Sequence, residues 1–268
     1  MAIALTAGMR NNLISLQNVD KLMTTTQTRL ATGKKVNTAL DDPVNFFKSK
    51  DHYNRASDLA AKKDGMSEAI KTIEAANTGI EKIEALLNQM KSLASAAKTS
   101  SNTADLATQF NTVISQVAFM AEDSSYGGTN LLNNDDLSVE FNEDGTNTLT
   151  VSGFSSAASG SVAGVTIAAA DFSSNATIEN GAISQIDAAI DNLRTEAQKL
   201  SSSLSTISIR SDFTSEMVNT LNTGGDNLTL ADMNEEGANM LMLQTRQNLG
   251  TTSLSLASQA AQAVLRLF

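Results

Sequence analysis

The chain has 268 residues, of which 41% are hydrophobic and 4% aromatic, with one proline, no tryptophan and a formal net charge of −10. The absence of cysteine excludes disulfides, thiolate nucleophiles and soft metal sites, and the single histidine excludes a multi-histidine metal site. We therefore expect no enzyme, no cofactor and no metal, and the abundance of Ala, Leu, Ser, Thr and Asn favours long packed helices.

Charge is unevenly distributed along the chain. Residues 1–50 carry seven Lys and Arg against three Asp, whereas no basic residue occurs between Lys98 and Arg194. The twelve acids of that middle stretch would repel nucleic acid and anionic membranes, so we expect neither as a partner and interpret the acids as a solvated surface. We find no secretory signal pattern and no apolar stretch of the roughly 20 residues that span a bilayer.

A helix is predicted over residues 5–31. Its apolar face is formed by Leu5, Met9, Leu13, Leu16, Met23 and Leu30. Gly33 follows as a stop in the left-handed conformation, and Asp42-Pro43 is a good N-cap and first residue for the next helix.

The clearest pattern is a heptad repeat over residues 66–97. Apolar residues recur every seven positions from Met66 to Ala94 and again, three positions later, from Ala69 to Ala97. Five such heptads predict coiled-coil-like packing. Thr103 is then predicted to cap a shorter helix.

The middle of the chain predicts a helix break and a β-hairpin. Tyr126–Leu132 contains two consecutive glycines, and alternating residues flank an Asp144-Gly145 turn at 137–141 and 149–151. Residues 152–176 are rich in Ser, Ala and Gly, which predicts a small irregular or β-rich insert on the surface.

The helical pattern returns from about residue 178. We expect Gly224-Gly225 to interrupt it and Thr229 to Asp232 to form a capping box for the last helix. That helix presents heptad-spaced apolar residues that include Met240, Leu243, Leu254, Val264 and Phe268.

The predicted fold is mainly α: long antiparallel coiled-coil-like helices folded back at a small β-hairpin and irregular insert. In this arrangement 178–222 packs on 66–120, and 229–268 packs on 5–31. We expect a terminal helical domain from 1–42 with 227–268, a helical rod from 43–136 with 178–226, and a surface-exposed variable segment at 137–177.

Several segments resemble bacterial flagellin, and the resemblance extends over essentially the whole chain. Leu30-Ala-Thr-Gly-Lys-Lys-Val-Asn-Thr-Ala-Leu-Asp-Asp42 is similar to an N-terminal signature of that family, and Gly128-Thr-Asn-Leu-Leu132 to its N-G-x-x-L-L turn. The stretches 231–236, 243–250 and 256–265 resemble its C-terminal blocks. After Asp42 the chain departs from the family pattern, since Pro43-Val-Asn-Phe-Phe47 replaces a run of small residues.

The resemblance implies a structural subunit that self-assembles into the flagellar filament for swimming motility. It further implies export through the flagellar type III apparatus with an export chaperone, an extracellular location in the filament, and hook-associated and cap proteins as partners. Because both ends of the chain are apolar, we expect the terminal helices to form the self-assembly interface. The candidate residues are Leu5, Met9, Leu13, Leu16, Met23, Leu30, Met240, Leu243, Leu254, Val264, Leu265 and Phe268.

Two alternatives stay open at this point. A hook–filament junction protein shares the terminal helices, although the match of the N-terminal block favours flagellin. A flagellin-like protein with a protease in the insert is disfavoured because the insert contains no histidine.

Overall fold

The computed structural model describes residues 7–156, 160–174 and 177–265. Five long helices dominate it, as the predicted mainly-α class requires, and 74% of the described residues are helical. They are α1 (Ala7–Thr32), α2 (Pro43–Ala97), α3 (Thr103–Asp123), α4 (Ser184–Thr229) and α5 (Met233–Leu265), with a π-helical turn at Ile178–Ile183 before α4. The strands are β1 (Leu137–Glu140), β2 (Thr148–Val151), β3 (Ser161–Val162) and β4 (Val165–Thr166).

The chain divides into two compact units. The terminal unit takes the chain up to Asn54 and from Thr220 onward, and the central unit is Arg55–Asn219. Helices α2 and α4 therefore contribute to both units. The three-part division expected from the sequence stays a prediction.

The predicted heptad repeat forms the core of the central unit. All ten seam positions between Met66 and Ala97 are at most 3% exposed, so this prediction is confirmed. They belong to one apolar cluster with Phe110 of α3 and Leu193 of α4. The ion pair between Arg194 and Glu84 also joins α4 to α2, at 2.6 Å. Because exposed ion pairs contribute only about 0–1 kcal/mol, the apolar seam supplies most of the stability here.

The predicted hairpin is present and a second one follows it. Strands β1 and β2 pair antiparallel, with Leu137 opposite Val151, and Gly145 adopts a φ of 66° in the turn. The second hairpin, β3–β4, was not predicted. The prediction of a surface insert is wrong for Val162, Ile167 and Phe172, which are buried in the central core. Single apolar residues in a Ser/Ala/Gly-rich stretch give no periodic signal, yet each fills a gap beside the helices.

The predicted break at Gly224-Gly225 is wrong, because α4 continues through both residues. A Cβ on Gly225 would lie only 2.8 Å from Cζ of Tyr53. The Tyr53 hydroxyl donates a hydrogen bond to Oδ1 of Asp226 at 2.7 Å. The glycine therefore permits the ring to approach the helix backbone, and the helix does not end there.

The helix ends give a mixed result. Gly33 has a φ of 70° and Asp42 Oδ1 accepts the Asn45 N–H at 3.1 Å, both as predicted. The capping box at Thr229 is wrong, since Thr229 ends α4 and donates its hydroxyl to the Gly225 carbonyl. Asp232 caps α5 instead, accepting the N–H of Asn234 at 2.9 Å. Thr103 is the first residue of α3 and not its cap, which is Asn102 without a capping side-chain bond.

Candidate self-assembly surface

Two short linkers pair with each other: the first, residues 33–42, joins α1 to α2, and the second, residues 230–232, joins α4 to α5. Lys34 and Leu230 form an antiparallel bridge. The Lys35 N–H donates to the Thr229 carbonyl at 2.8 Å, and the Ala231 N–H donates to the Gly33 carbonyl at 2.9 Å. These backbone hydrogen bonds hold the two linkers against each other, next to the start of α5 and the end of α1.

A carboxylate organises the first linker. Asp41 Oδ2 accepts the backbone N–H groups of Thr38 at 2.8 Å and Asn37 at 3.0 Å. These two bonds stabilise the charged form, so they lower the pKa of the Asp41 carboxyl below its ordinary value of 3.8. The linker therefore takes its local shape from an ionised side chain.

Beyond the linkers, α1 packs against α5. Arg29 Nη1 lies 2.8 Å from Glu236 Oε1, and the Glu236 residue is buried. Gly250 faces Leu16 closely, because a Cβ at residue 250 would come within 2.6 Å of the leucine Cδ2. The two ends of the chain thus form one helix pair, as the sequence predicts.

The predicted interface residues occupy different places in this pair. Met9 and Leu243 are buried within one copy, so their side chains are not accessible to a second copy. Leu13 is 38% exposed. Five others are half-buried: Leu16, Met23, Leu30, Met240 and Leu254. Leu5, Phe268 and the side chains of Val264 and Leu265 lie outside the described residues.

The pair also exposes large apolar residues that the sequence analysis missed. Each is between 44% and 67% exposed: Ile14 and Leu22 on α1, and Leu241, Met242, Leu249 and Leu256 on α5. Spacings of seven or eight residues place them along one side of each helix. We call these two sets the outer stripes. The signal was present as apolar residues beside the seam, but a search for one seam per helix does not report a second apolar face.

The first linker and the start of α2 also expose large apolar side chains. Leu40 is 96% exposed, and Val44 and Phe47 are also exposed. Phe47 belongs to the segment Pro43–Phe47, which replaces the small residues usual in the family that the sequence resembles. Its ring packs edge-on against Phe46, with 5.6 Å between the centroids.

Neither a group of metal ligands nor a candidate membrane span occurs in the part of the chain that the structure describes. In the described ranges, no three His, Cys, Asp or Glu side chains are grouped as metal ligands. Among the same residues, no helix has the length and hydropathy to cross a membrane. The exposed apolar side chains described above are the feature that suits this surface to binding other apolar helices.

Comparison with known proteins identifies the family. The family model of the bacterial flagellin N-terminal helical region matches residues 5–136, and that of the C-terminal helical region matches residues 183–268. This chain belongs to the bacterial flagellin family. It is a structural subunit of the flagellar filament, as the resemblance predicted, and flagellins of this kind polymerise with their own copies.

Individual flagellins match over almost the full length. Flagellin FljK of Caulobacter vibrioides is 32% identical over 96% of this chain and 95% of its own. The Brucella melitensis flagellin is 28% identical over the same shares. The crystal structure of Bacillus cereus flagellin aligns with 56% of this chain and 88% of its own, at 17% identity and a TM-score of 0.48.

Proposed function

We propose that the outer stripes of α1 and α5 are the surfaces by which copies of this flagellin contact each other in the filament core. The observation that supports this is the exposure of six large apolar side chains on a helix pair that is already closed on its inner side. Large apolar side chains that are exposed on one side of a helix pair in this way are typical of an interaction site.

The energetics favour assembly as the way to bury the stripes. Full burial of a Leu, Ile or Met side chain stabilises by about 1.5–3 kcal/mol relative to leaving it in water. One helix pair cannot bury both its seam and its stripes, because they lie on different sides. A neighbouring copy brings stripes of the same chemistry, and a repeated contact between two different surfaces builds an open helical polymer.

The predicted interface residues then have two roles. Met9 and Leu243 hold α1 against α5 inside one copy. Leu13 and the half-buried residues, among them Leu16 beside Gly250, contact the neighbour with the part of their surface that the helix pair leaves open. This assignment is part of the proposal.

The further partners and the location follow from the family and are also proposed. We infer that the chain is exported unfolded through the type III apparatus and is located outside the cell in the filament. Before assembly, an export chaperone would cover the apolar stripes. Hook-associated and cap proteins would contact the same helices at the two ends of the filament.

The experiment is seeded assembly of the purified full chain, followed by sedimentation and electron microscopy. Leu249→Ser places a polar group in the stripe, and we expect the concentration needed for assembly to rise about tenfold or more, as for the loss of an interface hot spot. Gln244→Ser changes an exposed polar residue of the same helix and should assemble as the parent does. Removal of residues 229–268 should abolish assembly. Normal assembly of Leu249→Ser would contradict the assignment of the stripe.

A further inference from the structure

Methionine supplies all the sulfur of this chain, which has ten methionines and no cysteine. The thioether of methionine is a soft nucleophile that peroxides oxidise to the sulfoxide. In most proteins a cysteine thiolate competes for such oxidants, but here no thiol is present, and tryptophan is absent as well. An oxidant that meets this protein therefore reacts first at the methionines that solvent can reach.

Exposure divides the methionines of the described ranges into three groups. Met66 and Met90 are completely buried in the core of the central unit, and Met9 is buried in the terminal unit. Four more are half-buried: Met23, Met120, Met217 and Met240. Among the residues that the structure describes, only Met233 and Met242 are exposed, at 48% and 44%.

The two exposed methionines lie at different places on α5. Met233 is the first residue of the helix and follows the second linker directly. Met242 belongs to the outer stripe, two helical turns before Leu249. Both side chains are accessible in one copy, but only Met242 lies on the surface that we assign to assembly.

We propose that Met242 is an oxidation site, at which a hydroperoxide converts an unassembled subunit into one that no longer enters the filament. The inference rests on the proposed function, because it requires the outer stripe of α5 to be a contact between copies. It adds a chemical modification that acts on that contact.

The reaction needs the side chain and a hydroperoxide alone. The thioether sulfur of Met242 attacks the terminal oxygen of the hydroperoxide, the O–O bond breaks and the S–O bond of the sulfoxide forms. The sulfur is oxidised by two electrons, and the other peroxide oxygen is reduced and leaves as water or an alcohol. Two thiols reverse the step in the presence of a methionine sulfoxide reductase, giving methionine, a disulfide and water.

The same modification has different consequences in the monomer and in the polymer. In one copy the new sulfoxide oxygen of Met242 remains in water, so the fold loses little. In the filament that oxygen is placed against the apolar stripe of a neighbour, which offers it no hydrogen-bond donor, and burial of an unpaired polar group is unfavourable. The core of the central unit is protected, because Met66 and Met90 are inaccessible.

The test treats purified monomer of the full chain with hydrogen peroxide, removes the peroxide with catalase and then starts seeded assembly. We expect the concentration needed for assembly to rise about tenfold, as for the loss of an interface hot spot. Peptide mass spectrometry should find an added oxygen on Met242 and none on Met66. Met242→Leu keeps the volume of the side chain, so it should assemble like the parent before treatment and within about twofold of that level afterwards.

Met233→Leu is the matched control, because it removes the other exposed thioether of α5. It should remain as sensitive to peroxide as the parent. Equal sensitivity of Met242→Leu and the parent would overturn the inference, and so would normal assembly of a chain whose Met242 is fully oxidised. A loss of helical circular dichroism in the treated monomer would also overturn it, since the effect would then arise from unfolding.

A second test needs no oxidant. Met242→Gln introduces a neutral polar side chain of similar length and should raise the concentration needed for assembly about tenfold, whereas Met233→Gln should stay within about twofold of the parent. Normal assembly of Met242→Gln would contradict the inference. If Leu249→Ser is impaired while the oxidised parent is not, only this inference fails; if both assemble normally, the proposed function fails as well.

Discussion

The central and terminal units place their apolar residues differently. In the central unit the seam from Met66 to Ala97 is completely buried within one copy. In the terminal unit, α1 and α5 bury Met9 and Leu243 but leave Ile14 and Leu249 more than half exposed. The first arrangement is complete in the monomer, and we propose that other copies complete the second. The two units thus differ in how much of their helical apolar surface one copy leaves exposed.

The largest expected effect comes from truncating one leucine in each unit. Leu87→Ala should lower the free energy of unfolding of the monomer by about 2–5 kcal/mol, since Leu87 is completely buried and its loss leaves a cavity. Leu249→Ala should change it by no more than about 0.5 kcal/mol, because that side chain is 65% exposed. Urea unfolding of dilute monomer, followed by circular dichroism, measures both.

The comparison breaks if the two variants lose similar stability. That result would mean that the outer stripe is already covered in a single copy. Assembly assays on the same two proteins complete the test. Leu249→Ala should impair polymerisation while leaving the stability of the monomer nearly unchanged.

A smaller effect is expected beside the linkers. Gly225→Ala forces a methyl group to within 2.8 Å of the Tyr53 ring and should destabilise by about 1–3 kcal/mol, as overpacking does. Gly224→Ala is the matched control, because its nearest neighbour would be His52 Cδ2 at 3.9 Å. That control should stabilise by about 0.5–1 kcal/mol, the usual gain from alanine in a helix interior. Thermal unfolding of the two variants separates these outcomes, and equal effects would refute the role of close packing against Tyr53.

The smallest effect concerns pH and the first linker. Because the folded pKa of Asp41 lies below its ordinary value of 3.8, the carboxylate stabilises the folded linker above that pH, and this contribution is lost as the pH falls through the folded pKa. The amide NMR signals of Asn37 and Thr38 should therefore titrate with a midpoint below 3.8. Asp41→Asn should abolish this titration. A midpoint at or above 3.8 would show that the two backbone bonds do not favour the ionised form.

Sequence patterns predicted the parts of the fold whose burial depends on one periodic face. The heptads of 66–97, the Asp-Gly hairpin and the Gly33 stop each follow from a local rule. The rest depended on tertiary contacts. Gly225 stays helical because Tyr53 packs on it, and Phe172 is buried because it meets Phe110, with 5.3 Å between the ring centroids. Neither contact is visible in a local window.

The self-assembly residues named from the sequence stay a prediction, and the outer stripes add exposed apolar residues that the sequence analysis did not name. Periodicity finds the strongest apolar face of each terminal helix, and in the monomer that face includes the buried Met9 and Leu243. A subunit that packs inside itself and against its neighbours needs a second face, represented by Leu22 and Leu256. The sequence of such a helix looks weakly amphipathic, because apolar residues on two faces reduce the difference in hydrophobicity between one side of the helix and the other.

The ion pair of Arg29 with Glu236 joins positions that are 207 residues apart. Contacts between residues this far apart in sequence form late in folding, because the entropy of closing the intervening loop is lost before the contact can stabilise the structure. The central unit can build its core from nearer segments, whereas the helix pair forms only once α5 is present to meet α1. We therefore expect a chain truncated before α5 to form the core of its central unit but to fail in assembly. Assembly would then select complete subunits.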